Sequence, residues 1–294
     1  MSFRGGAEIS TKAVPQSIRM YLRGHLVHLR FGGYDLMTSI CITTSYDAGF
    51  RDIGDFAAMT LRYYAYKHGY EAFVDDNVSF ERHPSWYRVK LIPDLFTRGF
   101  DFVMWVDADA IFVRFDVAIS SVIAASHDLY MVQVDHPLLS PPMVPNMGVI
   151  LVRNCAWSRE LFTRLWAMDQ YSTHNWWENA AMIKLLGYNS LLGEGEDSFA
   201  YDLLARIKFL DVEWNSITNI RPVSDPIIRH YAGCTREERE REIPKQALAA
   251  CFRALRENHS AQAREGTRAH PTESLLQKFK FLTKGFSALK LASK

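Results

Sequence analysis

At 294 residues, 48% of them hydrophobic, the chain can bury a sizeable core, and one large α/β domain with appendages is the favoured reading over two small domains. A net charge of +1, from 34 Lys+Arg against 33 Asp+Glu, gives no global field to recruit nucleic acid, and the four cysteines, Cys41, Cys155, Cys234 and Cys251, contain no C-x-x-C and argue against a zinc knuckle or a disulfide framework. No apolar run approaches the roughly 20 residues that span a bilayer and the N-terminus lacks the apolar core of a signal peptide, so a cytoplasmic protein with reduced thiols is expected.

Residues 1–37 read as an N-terminal extension, with a modest amphipathic pattern from Ile18 to Phe31 that suits packing on a core or at an interface. The first convincing strand is Ser39-Ile-Cys-Ile-Thr-Thr44. The polar loop after it, Ser45 to Gly49, opens a helix carrying Ile53, Phe56, Ala57, Met59 and Tyr63. A second strand, Ala72 to Val74, runs into Asp75-Asp76-Asn77, and a helix from Trp86 to Phe96 leads to a third strand, Phe102 to Val106. Successive βα steps predict a parallel sheet. Leu129 to Val134 and Val149 to Val152 are further strands, joined by the Pro-rich stretch Asp135 to Pro145, which is expected to be ordered but free of helix. Helices follow over Ser158 to Met168 and about Glu178 to Leu186, then strands at Ile207 to Val212 and Ile227-Ile228. Gly193 to Ser198 reads as a mobile loop, and from Thr235 the composition shifts to charged helix. There is no internal repeat.

The most informative feature is the third strand. Its apolar run ends in Asp107-Ala108-Asp109, and in parallel sheets ligands bind at the carboxyl ends of strands. If the strand continued, both carboxylates would point to one face and could hold a divalent cation bridging two phosphates. A surface turn with solvated acids is the competing reading.

Four ordered segments enlarge that context. They are Trp86, Lys90 and Ile92 before the D-x-D; Asn146-Met-Gly-Val-Ile-Leu-Val-Arg153-Asn-Cys-Ala-Trp157-Ser158 after it; Trp177-Glu178-Asn179 through Leu186; and His230-Tyr-Ala-Gly233. Together they resemble the galactosyl/mannosyl transferase family of fungal α-galactosyltransferases, mannan-polymerase subunits and plant xyloglucan xylosyltransferases, which are nucleotide-sugar glycosyltransferases of GT-A fold. The resemblance implies an α/β, Rossmann-like domain over 38–234, with a mixed, mostly parallel central sheet flanked by helices; the charged, amphipathic helical tail expected over 235–294 lies outside it. It implies a retaining transfer of a hexose or pentose from a UDP- or GDP-sugar to a glycan or glycolipid acceptor, with Mn²⁺ or Mg²⁺ held by Asp107, Asp109 and His230. The eukaryotic members are anchored in the Golgi by an N-terminal membrane segment, so a bacterial-type enzyme is expected.

Other roles follow with less support from the residues themselves. Lys90 and Arg153 are candidate cations for the diphosphate or donor sugar, although an exposed helix face and a strand-end salt bridge compete. Asn146 could bond sugar hydroxyls, with Gly148 allowing close backbone approach. The nucleotide side is assigned Thr43, Thr44 and Tyr46 after the first strand, where the tyrosine could stack on the base, together with Asp75 or Asp76 for base or ribose. Ala108 and Gly233 complete the two metal motifs. Glu178 is nearest the reaction centre by resemblance, able to orient the acceptor hydroxyl, stabilise an oxocarbenium-like transition state or, less in keeping with retention, act as a base. Asn179, Ala180 and Ala181 depart from that family's more polar segment, and Trp176 and Trp177 read either as a sugar-stacking platform or as core anchors. Residues 275–294 place apolar residues at helical spacing beside Lys278, Lys280, Lys284, Lys290 and Lys294, which suits a peripheral contact at the inner face of a membrane or a docked terminal helix. A D-x-D phosphatase is disfavoured, because two βα units precede Asp107 and Ala110-Ile111 follow it; a non-catalytic binding relative is the other rival.

Overall fold

Residues 18–22, 25–29, 38–139 and 143–264 are described by the computed structural model, with side chains over 38–139 and 143–257. β1 (Ile18–Leu22) and β2 (His25–Leu29) pair antiparallel, Ile18 opposite Leu29, in a unit distinct from the one that begins at Ser39. The amphipathic stretch there is therefore an extended hairpin.

In the main unit, β3 (Ile40–Ser45) is buried at all six positions, as expected of a strand covered on both faces. α1 (Arg51–His68) follows and ends at Gly69, whose left-handed φ of 71° closes the helix. β4 (Glu71–Asp75) pairs parallel to β3. α2 (Tyr87–Thr97) then leads to β5 (Phe102–Val106), parallel to β3 on its other side and again wholly buried. β6 (Ala110–Phe112) is a short strand that periodicity did not reveal. β7 (Leu129–Asp135) and β8 (Met143–Arg153) form an antiparallel hairpin, so the Pro-rich connection is shorter than its composition suggests. Pro145 is accommodated past the end of β5, where β8 has a neighbour on one side only. After α3 (Ala156–Trp166), α4 (Trp177–Leu186) and the single turn α5 (Tyr201–Leu204), β9 (Ile207–Leu210) joins the sheet parallel to β7.

The six-stranded sheet has the order β4-β3-β5-β8-β7-β9, with β8 alone running against the others. Two details position the site. The β7 pairing skips from Met131 opposite Ile150 to Val132 opposite Asn146, leaving Met147 to Val149 without partners on β7. Such a bulge re-aims a strand, and here it frees Met147 and Gly148 at the carboxyl end of β5. The second detail is a small sheet in which β10 (Ser216–Ile217), β11 (Ile228–His230) and β6 lie side by side, His230 opposite Ala110.

α6 (Arg236–Arg264) packs on α1 and buries Ile243, Ala247, Ala250, Cys251, Ala254 and Leu255, one face at helical spacing. No helix among the described residues is long and apolar enough to cross a membrane. The basic stretch 275–294 lies outside the described residues.

Candidate functional site

Strand geometry does not carry through the D-x-D. The Ala110 amide donates to the Asp107 carbonyl at 2.9 Å, closing a turn that sends the chain from β5 into β6. The carboxylates converge because of that turn and because β11 returns beside it, with the Tyr231 amide donating to the Asp109 carbonyl at 3.0 Å. His230 Nε2 lies 3.2 Å from Asp109 Oδ1 and 3.7 Å from Asp107 Oδ2. One ligand atom from each of the three residues falls within 4.8 Å of the other two.

Hydrogen bonding decides which histidine nitrogen faces this centre. The Gly148 amide must donate, and it does so to Asn146 Oδ1 at 2.9 Å. That oxygen also accepts from Asn215 Nδ2 at 2.7 Å, so Asn215 turns its own Oδ1 to His230 Nδ1 at 2.8 Å. Nδ1 therefore carries hydrogen, which leaves Nε2 as the ring atom that faces the carboxylates and would serve as the ligand to a cation. Three lone-pair donors aimed at one point fit a divalent cation, and an oxygen-rich set with one imidazole suits Mn²⁺ or Mg²⁺ better than a thiol-loving metal.

The remaining carboxylate oxygens are already engaged. Asp107 Oδ1 accepts from Trp105 Nε1 at 2.8 Å and Arg88 Nη2 at 2.5 Å, while Asp109 Oδ2 accepts from Arg239 Nε at 3.0 Å. Burial pushes the Asp107 carboxyl above the usual range, more than Arg88 and His230 pull it down. Burial would raise Asp109 as well, but His230 and then Arg239 prevail and hold it at about 2. Gly148 is required by space: a Cβ there would collide with His230 Cε1 and stand 2.9 Å from both Asp107 Oδ2 and Asn146 Oδ1.

Arg88, 3% exposed on α2, also donates to the Met147 carbonyl and lies 3.3 Å from Glu178 Oε1, so one guanidinium joins the D-x-D to the first turn of α4. Glu178 is equally buried, and its Oε2 has no hydrogen-bond partner among the described residues. A cleft of about 500 Å³ opens over these groups, lined by Asp107, Asp109, Asn146, Glu178, His230 and Gly233 among others.

Asp107, Asp109, Asn146, Glu178, His230 and Gly233, all singled out by sequence, thus meet at one cleft, with Ala108 in the turn between the aspartates. Others do not, and the structure corrects them. Lys90 follows Arg88 by two positions, which on a helix is the opposite face, and its Nζ sits 4.1 Å over the Trp166 ring. Arg153 lies at the far end of β8, about 17 Å from Gly148 at strand rise. It is spent on the carbonyls of Ala124 and His127 and on Asp128. The Tyr46 ring is 2% exposed, with Gly54 beneath it and its hydroxyl donating to Asp55 at 2.7 Å, so it is closed to a stacking base. Thr43 and Thr44 are buried within β3. Asp75 accepts from the Tyr87 hydroxyl and Asp76 pairs with Arg51, both away from the cleft.

Sequence reasoning missed Arg88, Asn215 and Arg239. Only the first left a signal, since position 88 falls on the buried face of α2 with Leu91, Ile92 and Leu95.

The fold is that of known sugar transferases. The chain is similar to a glycosyltransferase involved in the glycosylation of the major capsid of PBCV-1, at 17% identity over 70% of this chain and 99% of that chain, with a TM-score of 0.55. It is also similar to the galactosyltransferase LgtC in complex with donor and acceptor sugar analogs, at 12% identity over 72% of this chain and 95% of that chain, with a TM-score of 0.50. At such identities the likeness concerns the fold, a GT-A arrangement. No curated protein matches the chain. The family model for nucleotide-diphospho-sugar transferases, however, matches residues 75–239, more than half of the chain, and so takes in the D-x-D, Glu178, His230 and Arg239. The chain belongs to the nucleotide-diphospho-sugar transferase family and is a glycosyltransferase.

Proposed function

We propose that this glycosyltransferase is metal-dependent and retaining, of the galactosyl/mannosyl transferase type, and moves a hexose or pentose from a UDP- or GDP-sugar to a glycan or glycolipid acceptor. The observation that carries the reading is the convergence of Asp107 Oδ2, Asp109 Oδ1 and His230 Nε2, with the histidine tautomer set for ligation. The hard part of sugar transfer is the departing diphosphate, and a bound Mn²⁺ or Mg²⁺ supplies stabilisation of the charge that develops there. Arg88 and Arg239 hold the outer oxygens of the two aspartates, so the inner ones stay aimed at the ion. Glu178 Oε2, buried and with no partner among the described residues, is available to accept from a sugar hydroxyl or to face the positive charge that grows at the anomeric carbon.

The test is hydrolysis of a nucleotide-sugar panel with and without Mn²⁺, by the parent and by Asp109→Asn. Mn²⁺-stimulated turnover that Asp109→Asn abolishes while the fold persists supports the reading; metal-independent turnover, or full activity in the variant, overturns it. A cytoplasmic placement with residues 275–294 on an anionic membrane surface belongs to the same proposal. Deleting those residues is then expected to reduce co-sedimentation with anionic liposomes, and high salt to weaken binding of the intact protein. Equal co-sedimentation with and without residues 275–294 would remove the membrane contact.

A further inference from the structure

Trp177 has a φ of 44°, a left-handed conformation that a bulky aromatic residue adopts only when its surroundings impose it. The imposition is visible on both sides. Its own amide donates to the His174 carbonyl at 2.9 Å, and the Asn179 amide donates to the Trp176 carbonyl at 2.9 Å. The consequence is a division of labour between neighbours at the start of α4. Glu178 is 3% exposed with Oε2 unpartnered among the described residues, Trp177 is half-buried against the core, and both line the cleft. His83 stacks on the Trp177 indole at 3.8 Å and 4° and does not itself line the cleft, so one face of the ring is covered by a neighbour.

We propose that Trp177 is the acceptor platform, a strained, His83-backed indole that takes the C–H face of a pyranose at the acceptor's end. The assignment rests on the reading of the metal centre given above: with a donor diphosphate held at Asp107, Asp109 and His230, the wall carrying Trp177 and Glu178 is open to the acceptor. The platform carries no charge, which suits a neutral sugar ring, and aromatic faces bind sugars through their apolar C–H surface. Glu178 Oε2 and the side chain of Asn175, which also lines the cleft, supply hydrogen bonding for the ring's hydroxyls. In an ordinary helical conformation position 177 would follow the turn of α4.

Four proteins test this: the parent, Trp177→Phe, Trp177→Ala and Trp177→Gly. Each is titrated with methyl glycosides of the common hexo- and pentopyranoses, used as probes in binding and as acceptors in transfer. At least one glycoside is expected to bind the parent, with its acceptor KM raised by about tenfold in Trp177→Ala and less in Trp177→Phe. Trp177→Gly is expected to melt at a higher temperature than Trp177→Ala, the reverse of the usual helix order, because only glycine relieves the left-handed backbone. Mn²⁺-dependent nucleoside diphosphate binding reports the donor side separately. Parent-like acceptor KM in Trp177→Ala, or no glycoside bound by a parent that binds nucleoside diphosphate, overturns the platform alone. A parent that binds no nucleoside diphosphate with Mn²⁺ overturns the metal reading and the platform with it.

Discussion

At Gly148 the backbone of β8 runs tight against His230 and Asp107, and its missing side chain is the condition for that approach. Gly148→Ala is expected to fold yet lose most Mn²⁺-dependent nucleoside diphosphate binding, because the added methyl occupies the space of His230 Cε1 and crowds Asp107 Oδ2. Calorimetric titration with parent-like affinity would mean that β8 can withdraw without harm. His230→Ala should weaken the same binding by about 1–3 kcal/mol, the scale of removing one hydrogen-bonding partner from a charged group. Acid stability isolates Asp109. Its folded pKa of about 2 lies below the ordinary 3.8, so its contribution is present above pH 3.8 and lost as pH falls through 2. In metal-free urea unfolding, the parent should lose up to about 2 kcal/mol more than Asp109→Asn over that window. Equal losses would show that His230 and Arg239 do not favour the ionised form.

At the scale of elements, α2 illustrates what a sequence can and cannot convey. Its helical period was legible, and so was the strand after it, because both are written in the spacing of apolar residues. Which cation faces inward was legible too: Arg88 shares the buried face, whereas Lys90, favoured by motif likeness, faces out. Arg88→Met should destabilise by about 3–5 kcal/mol in chemical denaturation, since it leaves Asp107 and Glu178 buried without their shared cation. Lys90→Met should stay within about 0.5 kcal/mol. Similar losses in the two variants would contradict the inward placement. Arg153 misled because its motif position says nothing about which end of an eleven-residue strand meets the site. β6 and β10, three and two residues long, are too short to show a period, and they are what bring His230 and Asn215 to the D-x-D. Tyr46 was read from its place after β3, but its burial is decided by Gly54 on α1, a tertiary fact.

Across the whole molecule, α6 closes the fold over α1 and reaches the site through Arg239, while Arg253 donates to the Val113 carbonyl just past β6. Thiol chemistry reports whether this closure holds. Burial pushes the Cys41 and Cys251 thiols to about 12, whereas Cys155 is only half-buried at the start of α3. Alkylation near pH 8 should therefore modify Cys155 well before the other two, read by mass spectrometry of digests. Cys251 reacting as fast as Cys155 would mean that α6 opens readily.

The pairing of arginines with carboxylates around the cleft also fixes an order of events. Asp107, Asp109 and Glu178 set three carboxylates against the two guanidiniums of Arg88 and Arg239, so acids outnumber arginines in the cluster. A nucleotide diphosphate approaching those carboxylates would meet repulsion at short range, and a dication settled there first would offset it. On the proposed metal reading, the ion is expected to add before the donor. Initial-rate patterns in which excess nucleotide sugar, by withdrawing free Mn²⁺, inhibits rather than saturates would be its kinetic signature.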